Sequence, residues 1–355
     1  MAGSQSLKHL YLSRLREFYR QPARIFWVYG FPTVLAICLG LAFKSGPAET
    51  VLVDLAANSA SPPLEKAFAD YNAKAAKEGK LKVVVKVGPE EGAVKRLMTG
   101  KTPLVIEAQA GKPLIYRFDP TRPEAASARA AVDEILQISS GRTNPVATKD
   151  LKIDTPGSRY IDFLIPGLIG VNTMGGGLWG IGFLIVNFRI AKLLKCFVAT
   201  PMPRRDFLLA LLGARLTFLI PDLAILLSLG YFGFGMPIRG SLLLVVVLDV
   251  LGALSFAGLG LLVGSRAQST ETVSGLMNLV MLPMWIFSGV FFSADRFPEV
   301  MQPLVRILPL TQLINSLRAV ILEGAGFLDV VPAMIVMAAW ALFTFLIALK
   351  IFRWS

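Results

Sequence analysis

The chain alternates between long apolar segments and one long hydrophilic stretch. The first apolar segment is 25–43, and the hydrophilic stretch follows at 44–160. Short loops join five further apolar segments, at 161–186, 207–232, 242–263, 273–292 and 328–349. A helix needs about 20 apolar residues to cross the hydrocarbon core of a bilayer. The pattern therefore predicts six transmembrane helices, helix 1 at 25–43 and helices 2–6 within 161–355.

Two segments beside these spans are predicted to lie at the membrane surface or dip into it. Residues 1–24 place apolar side chains at helical spacing with basic residues between them, which predicts an amphipathic helix that ends near Pro22. The alternative is a basic anchor that only fixes orientation. Between the last two spans, prolines interrupt the apolar runs of 293–327, so we expect short re-entrant helices there.

The hydrophilic stretch 44–160 has the pattern of a small folded domain. Short β-branched runs predict strands, and longer amphipathic segments between them predict helices. The strands are expected at 51–56, 81–87, 104–108 and 114–118, and the helices at 62–79, 90–98 and 123–138. About 100 residues in this order predict an α/β domain that is large enough to fold alone.

Composition and charge support a membrane protein and predict its orientation. Apolar residues make up 54% of the chain and charged residues only 17%. The net charge is +12, but the basic excess lies beside the spans rather than in one patch, which argues against nucleic acid as a partner. Because cytoplasmic loops retain Lys and Arg, both termini are predicted to be cytoplasmic and 44–160 extracytoplasmic.

The sequence offers no catalytic constellation. Cys38 lies in the first span and Cys196 in a later loop, and 44–160 contains neither Cys nor His. We therefore expect no disulfide framework, no metal, no cofactor and no enzymatic activity of the chain itself. A Gly175-x-Gly177-x-x-Gly180 pattern lies inside a span instead of between a strand and a helix, so it does not predict nucleotide binding.

Small and charged residues inside the spans form two further hypotheses. Gly176 with Gly180, and Gly260 with Gly264, have the spacing of close helix packing. Asp222 and Asp249 are intramembrane carboxylates at similar distances from the turn between their spans. Such groups are functional candidates, here for a proton relay. The alternative is that each meets a Ser, Thr or backbone partner, or Arg215, within the bundle.

The loop 187–206 between the second and third spans carries the strongest signal. Its basic residues are expected on one helical face, before a Thr-Pro break. The residues proposed to contact a cytosolic partner are Arg189, Lys192, Lys195, Thr200, Pro201, Arg204 and Arg205. Asp206 is a plausible cap for the following span. The alternative is that these charges only fix the orientation of the chain.

Four stretches resemble ABC type-2 transporter permeases. The loop reads K-L-L-K-x-F-x-A-T-P-M-x-R-x-D-F-L, and R-x-R-E-F-x-R-x-P precedes the first span. The second span begins R-Y-I-D-F-L-I-P-G-L, and 116–131 resembles the family's external domain. The likeness covers essentially the whole chain in order.

The resemblance implies a polytopic α-helical permease of the bacterial inner membrane that pairs with a separate ABC ATPase and a second copy or a paralogue. Residues 1–24 would be the connecting helix and 187–206 the coupling loop. Substrates of such exporters include drugs, lipids and glycans, and membrane lipids would surround the spans. Two rivals stay open: a proton-coupled secondary transporter that depends on Asp222 or Asp249, and a membrane-anchored sensor or scaffold.

Overall fold

The computed structural model describes residues 2–42, 50–57, 61–78, 81–108, 113–142, 156–199, 204–294 and 297–352. Contacts divide the chain into two compact units. A helical unit comprises Met1–Lys44 with Lys152–Ser355, and an α/β unit comprises Ser45–Leu151. The α/β unit is thus an insertion between the first two spans of the helical one.

In chain order the first elements are α1 (Ala2–Tyr19), α2 (Pro22–Ala42), β1 (Thr50–Ala56), α3 (Ser61–Glu78), β2 (Lys82–Gly88), α4 (Glu90–Met98), β3 (Leu104–Glu107), β4 (Ile115–Phe118) and α5 (Pro123–Ser139). They continue with α6 (Tyr160–Ile190), α7 (Leu193–Ala199), α8 (Asp206–Gly233), α9 (Leu242–Gly264), α10 (Thr270–Phe287), α11 (Glu299–Ile307), α12 (Pro309–Glu323) and α13 (Phe327–Ile351).

Five helices of the described chain are long and apolar enough to cross a membrane. These are α2, α6, α8, α9 and α13, and they coincide with five of the six predicted spans. The pair α11 and α12 provides a sixth candidate, in which the two helices are bent by 87°. Pro309 begins α12 and holds Leu308 in an extended conformation, which explains the break. The fold is therefore a polytopic helical one, as predicted.

The predicted span at 273–292 differs from the helix that the structure contains. Helix α10 begins earlier, at Thr270, and ends at Phe287, so the run up to 292 is only partly helical. Gly289 adopts a left-handed φ of +73°, which ends the helical path. Glu271 and Asn278 also interrupt the apolar sequence of α10. Its 18 residues extend about 27 Å, slightly less than a bilayer core.

Helix α1 packs along α8 through its apolar face. The Phe18 ring stacks on Phe218 with centroids 4.0 Å apart, and Tyr11 shares a hydrogen bond with Thr217 at 2.7 Å. The face predicted to be apolar is therefore the one in contact with protein, while Lys8 and Arg16 are exposed. The position of α1 relative to a membrane surface stays a prediction.

The α/β unit contains one four-stranded sheet in the order β2-β1-β3-β4. Strand β1 is parallel to both β2 and β3, whereas β4 pairs antiparallel with β3. Every strand and helix predicted for this stretch is present, with ends that agree within about two residues. The core consists of apolar side chains from the strands and the faces of α3 and α5: Val53, Leu55, Phe68, Val83, Leu104, Ile106 and Val132.

Candidate functional site

The predicted coupling loop is anchored to the bundle by Arg189. Its guanidinium donates hydrogen bonds to the carbonyls of Gly264 and Ser265, each at 2.9 Å, and to that of Ala267. These carbonyls lie at the end of α9 and in the connection to α10. Because α9 leaves its last carbonyls without partners inside the helix, Arg189 satisfies groups that would otherwise need water.

The expected single helical face of the loop is wrong. Helix α6 ends at Ile190, and Lys192 adopts a left-handed φ of 58°, so α7 begins on a new axis at Leu193. Arg189 turns inward to α9, while Lys192 and Lys195 are exposed. A single surface of the three side chains would need an unbroken helix, which this backbone does not provide.

The structure describes the second half of the predicted loop only in part. Thr200 and Pro201 lie outside the described residues. The helical backbone resumes at Arg204 and Arg205, ahead of α8, and their side chains lie outside the description. Asp206 is buried and is not an N-cap, since the helical backbone already begins at Arg204. A carboxylate in the first turn still faces the positive end of the helix dipole.

The two intramembrane aspartates each accept a hydrogen bond from a neutral side chain of α6. Thr173 donates to Asp249 with an O–O distance of 2.6 Å. Asn172 donates to Asp222 and also to the carbonyl of Val28, the latter at 2.9 Å. Helices α2, α6, α8 and α9 thereby meet around two adjacent residues of α6. Asn172 was missed in the sequence, although it is a polar residue within the apolar run 161–186.

The four glycines at packing positions contact two different kinds of neighbour. A Cβ at Gly260 would lie 2.6 Å from the carbonyl oxygen of Gly177, and one at Gly264 would lie 2.8 Å from that of Gly182. These positions thus allow the backbones of α6 and α9 to approach closely. Gly176 instead faces a side chain.

The neighbour of Gly176 and Gly180 is Arg215 of α8. A Cβ at Gly176 would overlap the Arg215 guanidinium, at 1.5 Å from its nearest nitrogen, and one at Gly180 would lie 3.7 Å from Arg215 Cδ. The pair therefore accommodates a cationic side chain. Spacing alone did not distinguish this from contact with a helix backbone.

The R-Y-I-D segment forms the beginning of α6. Arg159 donates to both carboxylate oxygens of Asp162 at 2.9 Å, and Asp162 also accepts from the backbone amide of Gly157 at 2.8 Å. This arrangement caps the helix through an ion pair whose carboxylate is fully buried.

A second buried arginine, Arg318 of α12, joins three segments and was not singled out in the sequence. It donates to the carbonyls of Phe163 at 3.0 Å and Gly289 at 2.8 Å, and its guanidinium lies 3.4 Å from the centre of the Phe163 ring. The start of α6, the end of α10 and the bent helix α12 are thus connected by one side chain.

Buried charges of the α/β unit are paired with arginines. Asp54 contacts Arg96 at 3.1 Å, and Glu107 accepts a hydrogen bond from Arg117 at 3.0 Å. Burial raises the pKa of Asp54, and the charge of Arg96 opposes that rise. Within the residues that the structure describes, no three His, Cys, Asp or Glu side chains are close enough to hold a metal ion.

Comparison with known proteins identifies one family that matches most of the chain and several relatives that match part of it. The family model described as ABC-2 family transporter protein matches residues 23–350. ABC transporter G family member 20 of Dictyostelium discoideum is 28% identical over 58% of this chain and 28% of its own length. The inner membrane transport permease YhhJ of Escherichia coli K12 is 30% identical over 34% of this chain and 32% of its own length.

A third relative, the probable multidrug ABC transporter permease YbhS of Escherichia coli K12, is 26% identical over 46% of this chain and 43% of its own length. The chain thus spans less than half the length of each of these three relatives. The family match is much broader, because it runs from α2 to the last turn of α13 and includes the α/β insertion. The chain belongs to the ABC-2 family of transporter proteins.

Proposed function

We propose that this chain is the permease subunit of an ATP-driven exporter and that a separate ABC ATPase binds its loop 187–206. The chain would supply the transmembrane pathway, while the ATPase would supply the hydrolysis. A drug, a lipid or a glycan is the class of substrate that we expect, and the partner permease would be a second copy or a paralogue. We place the protein in the bacterial inner membrane, with both termini cytoplasmic and 44–160 extracytoplasmic.

The observation that best supports a lever role is the attachment of Arg189. A displacement of the loop by an ATPase would act directly on the carbonyls of Gly264, Ser265 and Ala267, because the Arg189 guanidinium holds all three. The same movement would reach α6 and α8 through the backbone. A push on one short loop would thereby act on three membrane helices and on the start of α10.

The two intramembrane aspartates and the bent helix pair fit this scheme as parts of a rigid helix bundle. We assign Asp222 and Asp249 to packing, since each meets a neutral hydrogen-bond donor of α6. The bent pair α11 and α12 occupies 299–323, inside the predicted re-entrant segment 293–327. We propose that it lies near the external exit of the pathway.

A pull-down tests the proposed coupling surface. The tagged full chain is purified from gently solubilised native membranes, and the eluate is assayed for ATP hydrolysis and for subunit stoichiometry by native mass spectrometry. We expect two permeases with two ATPases. Charge reversal by Arg204→Glu with Arg205→Glu should remove at least about nine-tenths of the co-purifying ATPase, because the partner would meet repulsion at the loop.

The matched control is Arg239→Glu with Arg306→Glu, which reverses two exposed charges on the predicted external side. This variant should keep the ATPase. Equal recovery of the ATPase with both double variants, at equal membrane abundance, would contradict the coupling role of the loop. A chain that never co-purifies with an ATPase would instead favour the secondary transporter.

A further inference from the structure

A cavity of about 650 Å³ lies within the helical unit, among α1, α2, α6 and α8. Its wall combines two kinds of side chain. The cationic part consists of Arg14, Arg24 and Arg215, and the aromatic part consists of Phe18, Trp27, Trp179, Phe183 and Phe218. No carboxylate belongs to the lining in the described part of the unit. The wall therefore suits a ligand that is anionic at one end and apolar elsewhere.

Arg215 is the deepest of the three cations and has few acceptors. Its side chain is buried, with the residue 8% exposed. Among the described residues it makes one long hydrogen bond, 3.4 Å to the carbonyl of Asn172, and its Nε has no partner. Asp222 and Asp249 act on it electrostatically, but neither carboxylate forms an ion pair with it among the described contacts. A guanidinium has five N–H donors, and leaving them unmet in a buried site is unfavourable.

The other two cations share a single carboxylate. Glu17 accepts from Arg14 at 2.6 Å and lies 3.6 Å from Arg24. Three guanidinium groups thus surround the cavity with one directly paired acid. Guanidinium groups bind phosphate through parallel hydrogen bonds and carry their charge at every physiological pH.

The shape of α6 keeps this space open beside Arg215. A Cβ at Gly175 would meet no atom within 4 Å, whereas one at Gly176 would collide with the guanidinium. Gly175 therefore faces free volume in the lining, and Gly176 lets Arg215 lie flat against the helix. The cavity reaches the surface at Trp27, which is 63% exposed. Aromatic rings of this kind concentrate where membrane helices meet the lipid headgroups.

We propose that this cavity binds an anionic amphiphile, with a phosphate headgroup at Arg215 and its apolar chain along Trp27 and Trp179. The headgroup would supply the acceptors that Arg215 lacks. Arg14 and Arg24 would attract the anionic headgroup as it enters the cavity. The cavity lining includes Asn187, the first residue of loop 187–206, and none of the other loop residues.

Fluorescence quenching tests the site in the full chain. A variant with Trp27, Trp285, Trp340 and Trp354 replaced by Phe keeps Trp179 as its single tryptophan. Brominated phosphatidylglycerol and brominated phosphatidylcholine are titrated separately into the purified protein in detergent, because bromine quenches a tryptophan that it touches. We expect half-maximal quenching at about a tenfold lower mole fraction of the anionic lipid.

Two variants distinguish the effect of the Arg215 charge from the effect of the free volume in the cavity. Arg215→Gln should bring the two lipids to within about twofold of each other. Gly175→Leu should abolish quenching by both, since it fills the cavity while every arginine stays in place. The matched control is Gly275→Leu, where a Cβ also meets no atom within 4 Å but which lies outside the cavity on α10. This control should behave like the parent.

Each outcome decides the proposal. Equal quenching by the two lipids in the parent would overturn the headgroup assignment, and full quenching in Gly175→Leu would overturn the assignment to this cavity. Excess inorganic phosphate should leave the titration unchanged. Displacement by phosphate alone would make this a site for a free anion and overturn the amphiphile. If Arg215→Gln does not yield a monodisperse protein, the Gly175→Leu comparison still tests the site.

Discussion

The helical unit and the α/β unit differ in the side chains that they bury and expose. The helical unit buries Asp222, Asp249 and Arg318 and exposes apolar side chains such as Leu279 and Leu342. The α/β unit buries aliphatic side chains of its sheet and leaves most charges at its surface. In a bilayer, apolar surface gains little by being buried, so helices associate through close contact and polar pairs. In water, the burial of apolar side chains drives folding.

The strongest test of this contrast is Phe68→Ala. Phe68 is 1% exposed in the core of the α/β unit, and its truncation should cost about 3–5 kcal/mol. Hydrogen exchange on the full chain should show faster exchange throughout β1–β4 and unchanged exchange in α8 and α9. The control is Leu52→Ala, since Leu52 is 45% exposed. Faster exchange in both units would show that their stabilities are coupled.

A smaller effect is expected where the helical unit relies on close backbone contact. Gly260→Val should cost about 1–3 kcal/mol, because its Cβ would lie 2.6 Å from the Gly177 carbonyl and α6 would have to move away. Thermal unfolding in detergent measures the loss. Gly275→Val makes the same change in helix propensity at an open position. Similar melting temperatures for the two variants would contradict close packing as the source of stability.

The polar pair Thr173–Asp249 should contribute less. Thr173→Val removes the donor and should cost about 0.6–1.7 kcal/mol, the range measured for such contacts between membrane helices. Asp249→Asn keeps an acceptor oxygen, so transport by the permease should persist. Loss of all transport in Asp249→Asn with unchanged stability would instead identify Asp249 as a proton carrier, as the secondary-transporter hypothesis requires.

The smallest effect concerns Tyr116 in the α/β unit. Burial and the nearby Asp133, which accepts its hydroxyl at 3.1 Å, raise the pKa of Tyr116 to about 12. The raised pKa means that its stabilising effect is present below about pH 10 and is lost as the pH rises through about 12. Tyr116→Phe should cost about 0.5 kcal/mol at neutral pH.

An ultraviolet titration of phenolate absorbance checks the assignment of Tyr116. Compared with the parent, Tyr116→Phe should lack one phenolate that forms near pH 12. If the phenolate that Tyr116→Phe loses is instead one that forms near pH 10 in the parent, the ring is solvated and its hydrogen bond to Asp133 is absent in solution.

Local patterns predicted most of the fold. The strands of the α/β unit were predicted because β-branched runs alternate with amphipathic helices. These strands pair with one another, so their hydrogen-bond partners also lie within the α/β unit. Five spans followed from length and hydropathy. The end of α10 was missed because the left-handed turn at Gly289 depends on local backbone conformation, which apolar composition does not encode.

Side-chain partners across the bundle were harder to predict. Thr173 was anticipated only as a type of partner, Arg215 was named as an alternative partner, and Asn172 was not considered, because contacts between spans depend on helix rotation. Arg189 is a basic residue in a basic loop, a pattern that favours an exposed docking role. Its carbonyl acceptors, however, lie 75 residues or more after it in the chain. A single sequence gives no measure of such distant pairings.

The hydrogen bonds of Arg318 have a consequence for biosynthesis. Arg318 follows Phe163, whose carbonyl it binds, by 155 residues. At a synthesis rate of 5–20 residues per second, about 8–30 s separate the arrival of the acceptor from that of the donor. The start of α6 waits for the whole of this interval, whereas Gly289 at the end of α10 precedes Arg318 by 29 residues and waits only about 1.5–6 s. A nascent chain that stalls before α12 therefore presents the insertion machinery with an assembly whose last connection is still missing.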